Sequence, residues 1–383
     1  MTGQPLAGYR IVDLTRVLSG PFLTQLLGDL GADVIKVEAP EGDTVRNQGD
    51  MREGFSWYFA GFNRNKRSIV LDLKSSEGKA ALEALIRSAD ALVENFRPGV
   101  LERLGFGPER LEALRPGLVT CAVTGFGADG PYKDRPAFDF IAQAMSGFMS
   151  TNGGEHDPPL RSGLPVSDLV AGLYGALGVT AALLGRERGG GGEHVDISLN
   201  NSMVSLLAYV ASNYFATGRV TPRSGNDHPI AAPYGLFETA DDPIAIAPND
   251  DVFFGRLMDA LDLASLKDDP DFQSNALRVA NRARLNTAVL AKLAQAGAAH
   301  WIETLNGAGV PCCQVNDVAG VFADPQVRSQ QMAIEIDHPE HGPMTVLGSP
   351  IKFRDAPCAT RTHPPDLGEH TGEILAELGL GRD

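Results

Sequence analysis

The sequence contains no stretch of about 20 uninterrupted apolar residues, and residues 1–6 lack a basic segment followed by an apolar run. We therefore expect no membrane-spanning segment, secretory signal or transit peptide. Cysteine is also scarce, because the four cysteines, with Cys312 and Cys313 adjacent, match neither a disulfide framework nor the CxxC pairs of a zinc site. We expect a protein of a reducing compartment, the cytoplasm.

Positive charge is in deficit, with 33 lysines and arginines against 48 acidic residues and a formal net charge of -15. A broad basic face for nucleic acid is therefore not expected, and any anionic ligand must be bound by local cations. Apolar residues make up 43% of the chain and charged residues 21%, which is typical of a folded protein. A length of 383 residues indicates two or three domains.

Short β-rich runs alternate with helical stretches in the first third of the chain. The strand-like runs cover residues 10–14, 33–37, 68–73, 91–94 and 118–123. Apolar, β-branched strands separated by helices predict an α/β fold with a parallel sheet. The turn that follows the first run, residues 15–21, has no GxGxxG pattern, which disfavours a nicotinamide-dependent dehydrogenase.

The domain layout predicted from these patterns has two parts. A Rossmann-like large domain covers residues 1–200 and is completed by residues 330–383. A linker rich in turn formers covers residues 201–231, and a smaller α+β domain covers residues 232–329.

The segment SGLPVSD at residues 162–168 ends in Asp168 and runs into an apolar helix. Asp168 is either an N-cap, a common role that stabilises a helix by ~1 kcal/mol, or a nucleophile kept ionised by the helix N-terminus. Gly172, Gly175 and Gly178 recur every three residues in the same helix. Because glycine disfavours helix, this spacing predicts that other backbone or side chains press closely against that face.

Several motifs occur together in one order: DLTRVLSGP at 13–21, GADVIKVE at 31–38, NRNKRSIVLDL at 63–73, ENF at 94–96 and the Asp168 segment. Together they resemble the family III CoA-transferases, from about Leu6 to Leu380. The resemblance implies a nucleophilic aspartate at Asp168. This aspartate would form a mixed anhydride with the acyl group and then a thioester with coenzyme A.

The same resemblance implies which residues contact coenzyme A, and Lys74 and Arg103 are the foremost of them. The implied set is Val17, Leu18, Leu71, Lys74, Asn95, Phe96, Arg97, Arg103 and Asp139. Asp139 is expected near Asp168, where a second carboxyl could steer protonation, or else as a helix cap. Arg64, Lys66 and Arg67 form a basic cluster that fits either phosphate binding or a solvated loop.

Family members related to formyl-CoA transferase carry Gln, Tyr and Glu at the positions of Leu18, Phe138 and Asp139. GNDH at 225–228 and PYG at 233–235 look more like the members that handle dicarboxylates. We therefore expect succinyl-CoA as donor and a small dicarboxylate as acceptor. His228 and Tyr234 are candidates for contact with the acceptor carboxylate, and a surface or structural role fits His228 as well.

Two other functions remain open for this sequence. An α-methylacyl-CoA racemase also resembles it, but racemisation needs a second base, and the racemases carry a histidine where this chain has Phe138. A non-catalytic acyl-CoA binding protein would not need Asp168 for its purpose. The resemblance further implies an interlocked, ring-like homodimer, with coenzyme A as the only cofactor and neither a metal nor a nicotinamide.

Overall fold

A computed structural model describes residues 3–356 and 358–381. The chain divides into two compact units. The first unit contains the residues up to Phe148, Ser162–Leu207 and the residues from Pro325 onward. The second unit contains Met149–Arg161 and Ala208–Asp324.

The strands of the described residues are, in chain order, β1 (Arg10–Asp13), β2 (Asp33–Glu38), β3 (Met51–Arg52), β4 (Phe55–Ser56), β5 (Lys66–Val70), β6 (Ala91–Glu94), β7 (Val119–Thr124), β8 (His194–Ser198), β9 (Gly235–Phe237), β10 (Ile244–Ile246), β11 (Cys312–Gln314), β12 (Ala333–His338) and β13 (Gly342–Leu347).

The α-helices are α1 (Ser19–Asp29), α2 (Trp57–Asn63), α3 (Ser76–Ser88), α4 (Val100–Arg103), α5 (Pro108–Leu114), α6 (Asp139–Met145), α7 (Phe148–Thr151), α8 (Val166–Glu187), α9 (Leu199–Ser205), α10 (Ala208–Thr217), α11 (Asp251–Ala260), α12 (Asn275–Ala280), α13 (Arg282–Leu293), α14 (Ala298–Gly307), α15 (Val318–Ala323), α16 (Pro325–Ser329) and α17 (Thr371–Glu377). Short 3-10 helices cover Thr44–Asn47, Ala264–Asp268 and Pro270–Phe272.

A six-stranded parallel sheet forms the centre of the first unit. Its strand order is β5-β2-β1-β6-β7-β8, and every neighbouring pair is parallel. Counted along the chain within this sheet, the order is 3-2-1-4-5-6, which is the doubly wound arrangement with a crossover on each side of β1. The parallel α/β sheet predicted from the sequence is therefore confirmed.

Both faces of the sheet are covered by apolar side chains. On one face, α1 and α8 contribute Leu23, Leu27, Val179 and Leu183 to the core. On the other face, α3, α5 and α17 contribute residues such as Leu82, Leu85, Leu111 and Ile374. Burial on both faces explains why the strands are continuous apolar runs rather than alternating patterns.

Three of the four glycines of α8 face neighbours in the same chain. A side chain at Gly172 would meet the ring of Phe22 at 2.8 Å and the Ser19 carbonyl oxygen at 2.9 Å. One at Gly175 would overlap Leu23, and one at Gly178 would meet Val195 at 2.6 Å. The close packing predicted for this face is thus supplied by α1 and β8.

The opposite face of α8 is exposed to solvent. Leu173, Leu177 and Leu184 expose 52%, 65% and 50% of their surface. By length and composition α8 could cross a membrane, and it alone passes that test among the described helices. However, α8 packs against α1, β7 and β8, as a core helix beside a sheet does. Core helices of this kind also meet the length and composition criteria for a membrane span.

The second unit is a smaller mixed structure. Strands β9 and β11 flank β10 in an antiparallel sheet. Helices α11, α13 and α14 contribute Leu257, Val289 and Trp301 to a separate apolar core.

The observed boundaries differ from the predicted layout in several places, and residues 325–329, for example, belong to the first unit. Residues 149–161 belong to the second unit, although they lie within the sequence that we assigned to the large domain. The predicted linker, residues 201–231, contains most of α9 and all of α10, because apolar segments precede its turn-forming part.

Candidate active site

The connections that follow the parallel strands meet at one edge of the six-stranded sheet. β1 leads into residues 14–18, β6 into residues 95–98, and β7 into residues that begin at Gly125. These connections, together with the start of α8, line a cavity of about 350 Å³. Ligands of open parallel sheets bind at this carboxyl edge, so the cavity is in the expected place for a substrate.

Asp168 lines this cavity from the first turn of α8. The helix begins at Val166 and its N-cap residue is Pro165, so the interpretation of Asp168 as an N-cap is wrong. Asp168 is the third helical residue, and no residue in the described ranges donates a hydrogen bond to its carboxylate. It is the single acidic side chain among the described residues that line the cavity.

The electrostatic environment of Asp168 disfavours its charged form. Burial raises the pKa of the Asp168 carboxyl to about 7, and the nearby Asp139 adds to the increase. The same carboxylates, together with burial, raise the pKa of Tyr58, which places that phenol near them. Near neutral pH, Asp168 is therefore divided between carboxylic acid and carboxylate, and its ionised form lacks stabilising hydrogen bonds.

Asp139 is bonded to the segment that leads into Asp168. One oxygen of its carboxylate accepts hydrogen bonds from the backbone N–H of Ser167 (3.0 Å) and from its hydroxyl (2.9 Å). The other accepts from Nε2 of Gln143 (2.7 Å), whose Oε1 accepts from the N–H of Ser162 (2.8 Å). The backbone on the N-terminal side of Asp168 is thus fixed by a network in which Asp139 is the central acceptor.

Cations are concentrated around the same cavity. The lining residues include Arg16, Arg97, Lys133 and Arg135, whereas Asp168 alone carries negative charge there. In a chain with a net charge of -15, this is a local site for an anion.

A second, smaller cavity of about 240 Å³ lies beside the first, and Arg16 and Phe96 line both. The guanidinium of Arg16 lies 5.5 Å from the centre of the Phe96 ring. Leu71 and Lys74 line the smaller cavity, and Val17, Leu18, Asn95 and Arg97 line the larger one. Most residues implied in coenzyme A binding are therefore brought together around two adjoining spaces.

Arg103 and Asp139 are placed differently from the other implied residues, because neither lines these two cavities. Arg103 is the last residue of α4 and is exposed, although the adjacent Leu104 lines the smaller cavity. The contacts of Arg103 and Asp139 with coenzyme A stay predictions.

The basic cluster expected at Arg64, Lys66 and Arg67 is not available to a phosphate. Arg64 and Lys66 are buried and paired with Asp29 and Asp13. Arg67 is bonded to Asp33 and to acidic residues of α17. Burial lowers the pKa of Lys66 to about 8, and its ammonium also donates to the carbonyl of Pro21. Both interpretations of this cluster were wrong, because Arg64 at the end of α2 and the β5 residues Lys66 and Arg67 are paired with carboxylates of the same chain.

His228 and Tyr234 lie together in the second unit. Their ring centres are 4.8 Å apart, and the N–H of His228 donates to the Tyr234 carbonyl at 3.0 Å. Tyr209 stacks on His228 at 6.2 Å, and burial lowers the pKa of His228. Their predicted contact with the acceptor carboxylate stays a prediction.

A cluster in the C-terminal part of the first unit has the residue types of a metal site. Two overlapping groups have their ligand atoms within 4.8 Å: His338, His341 and Asp366, and His338, His363 and Glu369. However, Nδ1 of His338 accepts from the N–H of Glu340 at 3.2 Å, so the neutral ring carries its proton on the buried Nε2. That nitrogen has no lone pair to offer, and the cluster as arranged does not fit a divalent ion.

The largest cavity is not the one that contains Asp168. About 610 Å³ of space lies over β6, β7 and β8, lined by Glu94, Glu102, Glu112 and Glu193 and by no lysine or arginine among its described lining residues. Burial raises the pKa of Glu94 to about 7. This space therefore offers no cation to a phosphate. The cavity that contains Asp168 has four cationic lining residues, and the smaller cavity has Arg16 and Lys74 beside the acidic residues Glu38, Glu41, Asp43 and Asp72.

Several residues of this site were missed by the sequence analysis. Gln143 lies four residues after Asp139, a helical spacing that could have indicated their contact. Lys133 and Arg135 precede the Asp139 segment, and two cations so close together were a detectable signal. Ser167 offered no signal, because its bond to Asp139 depends on how two helices pack.

Comparison with known proteins agrees with this geometry. The family model described as CoA-transferase family III matches residues 6–371. The chain belongs to the family III CoA-transferases. It is therefore an enzyme whose substrates include CoA thioesters.

Curated relatives cover nearly the whole chain. The succinate–glutarate CoA-transferase of Agrobacterium fabrum (strain C58) is 36% identical over 98% of this chain and 96% of its own. The acetyl-CoA:oxalate CoA-transferase of Acetobacter aceti is 40% identical over 98% of this chain and 96% of its own.

Solved structures match as well. A CAIB/BAIF family protein from Brucella suis is 40% identical, covers 98% of this CoA-transferase and 100% of its own chain, and superposes with a TM-score of 0.87. The hypothetical protein Rv3272 from Mycobacterium tuberculosis is 29% identical, with a TM-score of 0.88 over 97% of this chain and 99% of its own.

Proposed function

We propose that this CoA-transferase moves coenzyme A from an acyl-CoA to a carboxylate through covalent intermediates on Asp168. The observation that carries the proposal is the state of this carboxylate. It is the single acidic group lining a cationic cavity, and no described residue donates a hydrogen bond to it. An ionised carboxylate without such bonds keeps its lone pairs available for attack.

The exchange proceeds in balanced steps. The Asp168 carboxylate attacks the thioester carbonyl of the donor, the C–S bond breaks, and CoA thiolate leaves a mixed anhydride. The thiolate then attacks the aspartyl carbonyl, which releases the donor as its carboxylate and leaves an aspartyl-CoA thioester. The acceptor carboxylate attacks this thioester, and the thiolate finally attacks the acceptor's acyl carbon. The Asp168 carboxylate is restored without net proton transfer.

The two adjoining cavities suit the two ends of an acyl-CoA. Lys74 offers a cation at the smaller cavity, and Phe96 and Arg16 form the border between the two spaces. A ligand that crosses this border could bring its thioester to Asp168 while its phosphates remain near Lys74 and Arg16. Val17, Leu18 and Asn95 would contact the part of coenzyme A that lies between.

The cations of the larger cavity also favour acids with a second carboxylate. One carboxylate of a dicarboxylic acid reacts at Asp168, and the other needs a positive partner within reach, which Lys133 and Arg135 could supply. Relatives are named for succinate, glutarate, oxalate and mesaconate. We therefore propose succinyl-CoA as a donor and a small dicarboxylate as acceptor, with His228 and Tyr234 as further contacts for the acceptor.

We also propose that the protein works as a homodimer. The open side of α8 carries Leu173, Leu177 and Leu184, all at least half exposed. A row of exposed leucines on a core helix is typical of a surface that a partner covers. The glycine face of α8 is already filled by the same chain, so the leucine face is the candidate interface. This surface is compatible with the interlocked arrangement that the family resemblance implies.

The covalent route can be tested directly. The protein is incubated with a panel of acyl-CoAs, treated with hydroxylamine or borohydride, and digested for mass spectrometry. We expect modification at Asp168 with the true donor and none in Asp168→Ala, while Asp129→Ala, which removes an exposed carboxylate outside the cavity, behaves as wild type. Turnover without modification of Asp168 would exclude the covalent intermediates.

A further inference from the structure

The connection between β1 and α1 contains a strained residue beside Asp168. Val17 has a φ of 70°, in the left-handed region. It is the single β-branched residue with positive φ among residues 3–356 and 358–381. This conformation costs an L-residue roughly 1–2 kcal/mol and is rarest for β-branched side chains. Val17 and its neighbours Arg16 and Leu18 form part of the wall of the cavity that contains Asp168.

One carboxylate holds this conformation from behind. The N–H of Val17 donates to both oxygens of Asp43, at 3.2 Å each. Nζ of Lys36 donates to Asp43 at 3.0 Å and to the carbonyl of Thr15 at 2.9 Å. The side chains of Lys36 and Asp43 are fully buried. Asp43 and Lys36 therefore hold the backbone on both sides of Arg16.

Arg16 itself is held from the other side. Oδ1 of Asn95 accepts from the Arg16 N–H at 2.9 Å, and Nδ2 of Asn95 donates to the Arg16 carbonyl at 2.8 Å. Every residue from Thr15 to Val17 is thus fixed by at least one side-chain hydrogen bond. Strained backbone persists where its surroundings over-determine it, and such places cluster at active sites.

Stability alone does not account for the Lys36–Asp43 pair. Burying two charges carries a desolvation cost that their attraction often fails to offset, so apolar residues of similar size would serve a core equally well. Apolar residues, however, cannot accept a hydrogen bond from the N–H of Val17 and so cannot offset the strain of its left-handed backbone. The side chain of Asp43 is fully buried, and the residue lines the smaller cavity but not the one that contains Asp168, so it reaches the larger cavity only through Val17.

We propose that Asp43 is a positioning residue for the transfer reaction: it holds Val17 in the left-handed conformation and so sets the shape of the cavity wall beside Asp168. The inference rests on the proposed covalent function of Asp168. A merely structural role must be separated from it, because Asp43 also accepts the N–H of Val45 at 3.3 Å at the start of a 3-10 helix.

The test uses Asp43→Asn, because both carboxylate oxygens of Asp43 accept hydrogen bonds from N–H groups. The NH2 group of an asparagine would replace one of these acceptors by a donor. We expect the single-turnover rate of Asp168 acylation, followed by quenching and mass spectrometry, to fall by roughly tenfold to a hundredfold. In Asp43→Asn with Val17→Gly, much of the rate should return, because glycine adopts the same φ without strain.

A structural control separates loss of shape from loss of stability. Asp29→Asn breaks a buried ion pair with Arg64 elsewhere in the first unit, so it should lower the melting temperature without slowing acylation of the folded protein. An unchanged acylation rate in Asp43→Asn, or equal slowing by Asp29→Asn, overturns the role of Asp43. Wild-type protein that never acquires an acyl group on Asp168 contradicts the proposed function itself, and this inference with it.

Discussion

Replacing Asp168 by asparagine should abolish transfer and stabilise the protein, and the size of the gain follows from the pKa. The unfolded carboxyl ionises near 3.8 and the folded one near 7. Between these values the folded state binds the extra proton, so stability falls as the pH rises. Above pH 7 both states are ionised and the full cost of the buried charge is present.

The magnitude can be worked from this difference. A shift of about 3 pKa units at 1.36 kcal/mol each corresponds to about 4 kcal/mol. The first-turn position of Asp168 in α8 offsets up to about 1 kcal/mol. We therefore expect Asp168→Asn to gain about 3 kcal/mol at pH 8, and only about half of that at pH 5, where the folded carboxyl is already neutral.

Thermal and denaturant unfolding at pH 8 and pH 5 measure this gain. A chain of this size should show a melting temperature roughly 5 °C higher for Asp168→Asn at pH 8. Asp129→Asn, in an exposed turn, should change neither value. A variant no more stable than wild type at pH 8, or a gain that is the same at both pH values, would refute the claim that Asp168 is held in an unfavourable site.

Further outcomes follow from the same structure. The acylation rate should rise with pH, with a midpoint near pH 7, as Asp168 ionises. Asp139→Asn removes the like charge beside Asp168, so the midpoint of this rise in the pH–rate profile should move to lower pH. Gly175→Ala should destabilise the protein by roughly 1–3 kcal/mol in urea unfolding, because its methyl group would overlap Leu23. The matched change Gly185→Ala, with no atom within 4 Å, should instead stabilise by up to about 1 kcal/mol. Lys74→Ala should raise KM for acyl-CoA in steady-state assays and leave kcat nearly unchanged, and an unaltered KM would contradict the assignment of the smaller cavity.

The local sequence was sufficient to predict the elements of the parallel sheet. Strands buried on both faces are continuous apolar runs, and the helices between them carry amphipathic stripes, so β1, β2, β6 and β7 were visible without any tertiary information. The spacing of the glycines in α8 likewise predicted a close neighbour. It could not identify that neighbour as α1 and β8, because contacts between distant segments leave no local signal.

The site required the tertiary structure. Sequence resemblance singled out Asp168, but three long-range facts decided its chemistry: burial that raises its pKa, the approach of Asp139 from α6, and cations from separate loops. The same limit explains the error at Arg64 and Lys66. A basic run is visible in the sequence, yet only the tertiary structure brings Arg64 to Asp29 of α1 and Lys66 to Asp13 of β1, where these carboxylates neutralise it. Local periodicity thus determined the elements, whereas charge and reactivity depend on which segments meet in space.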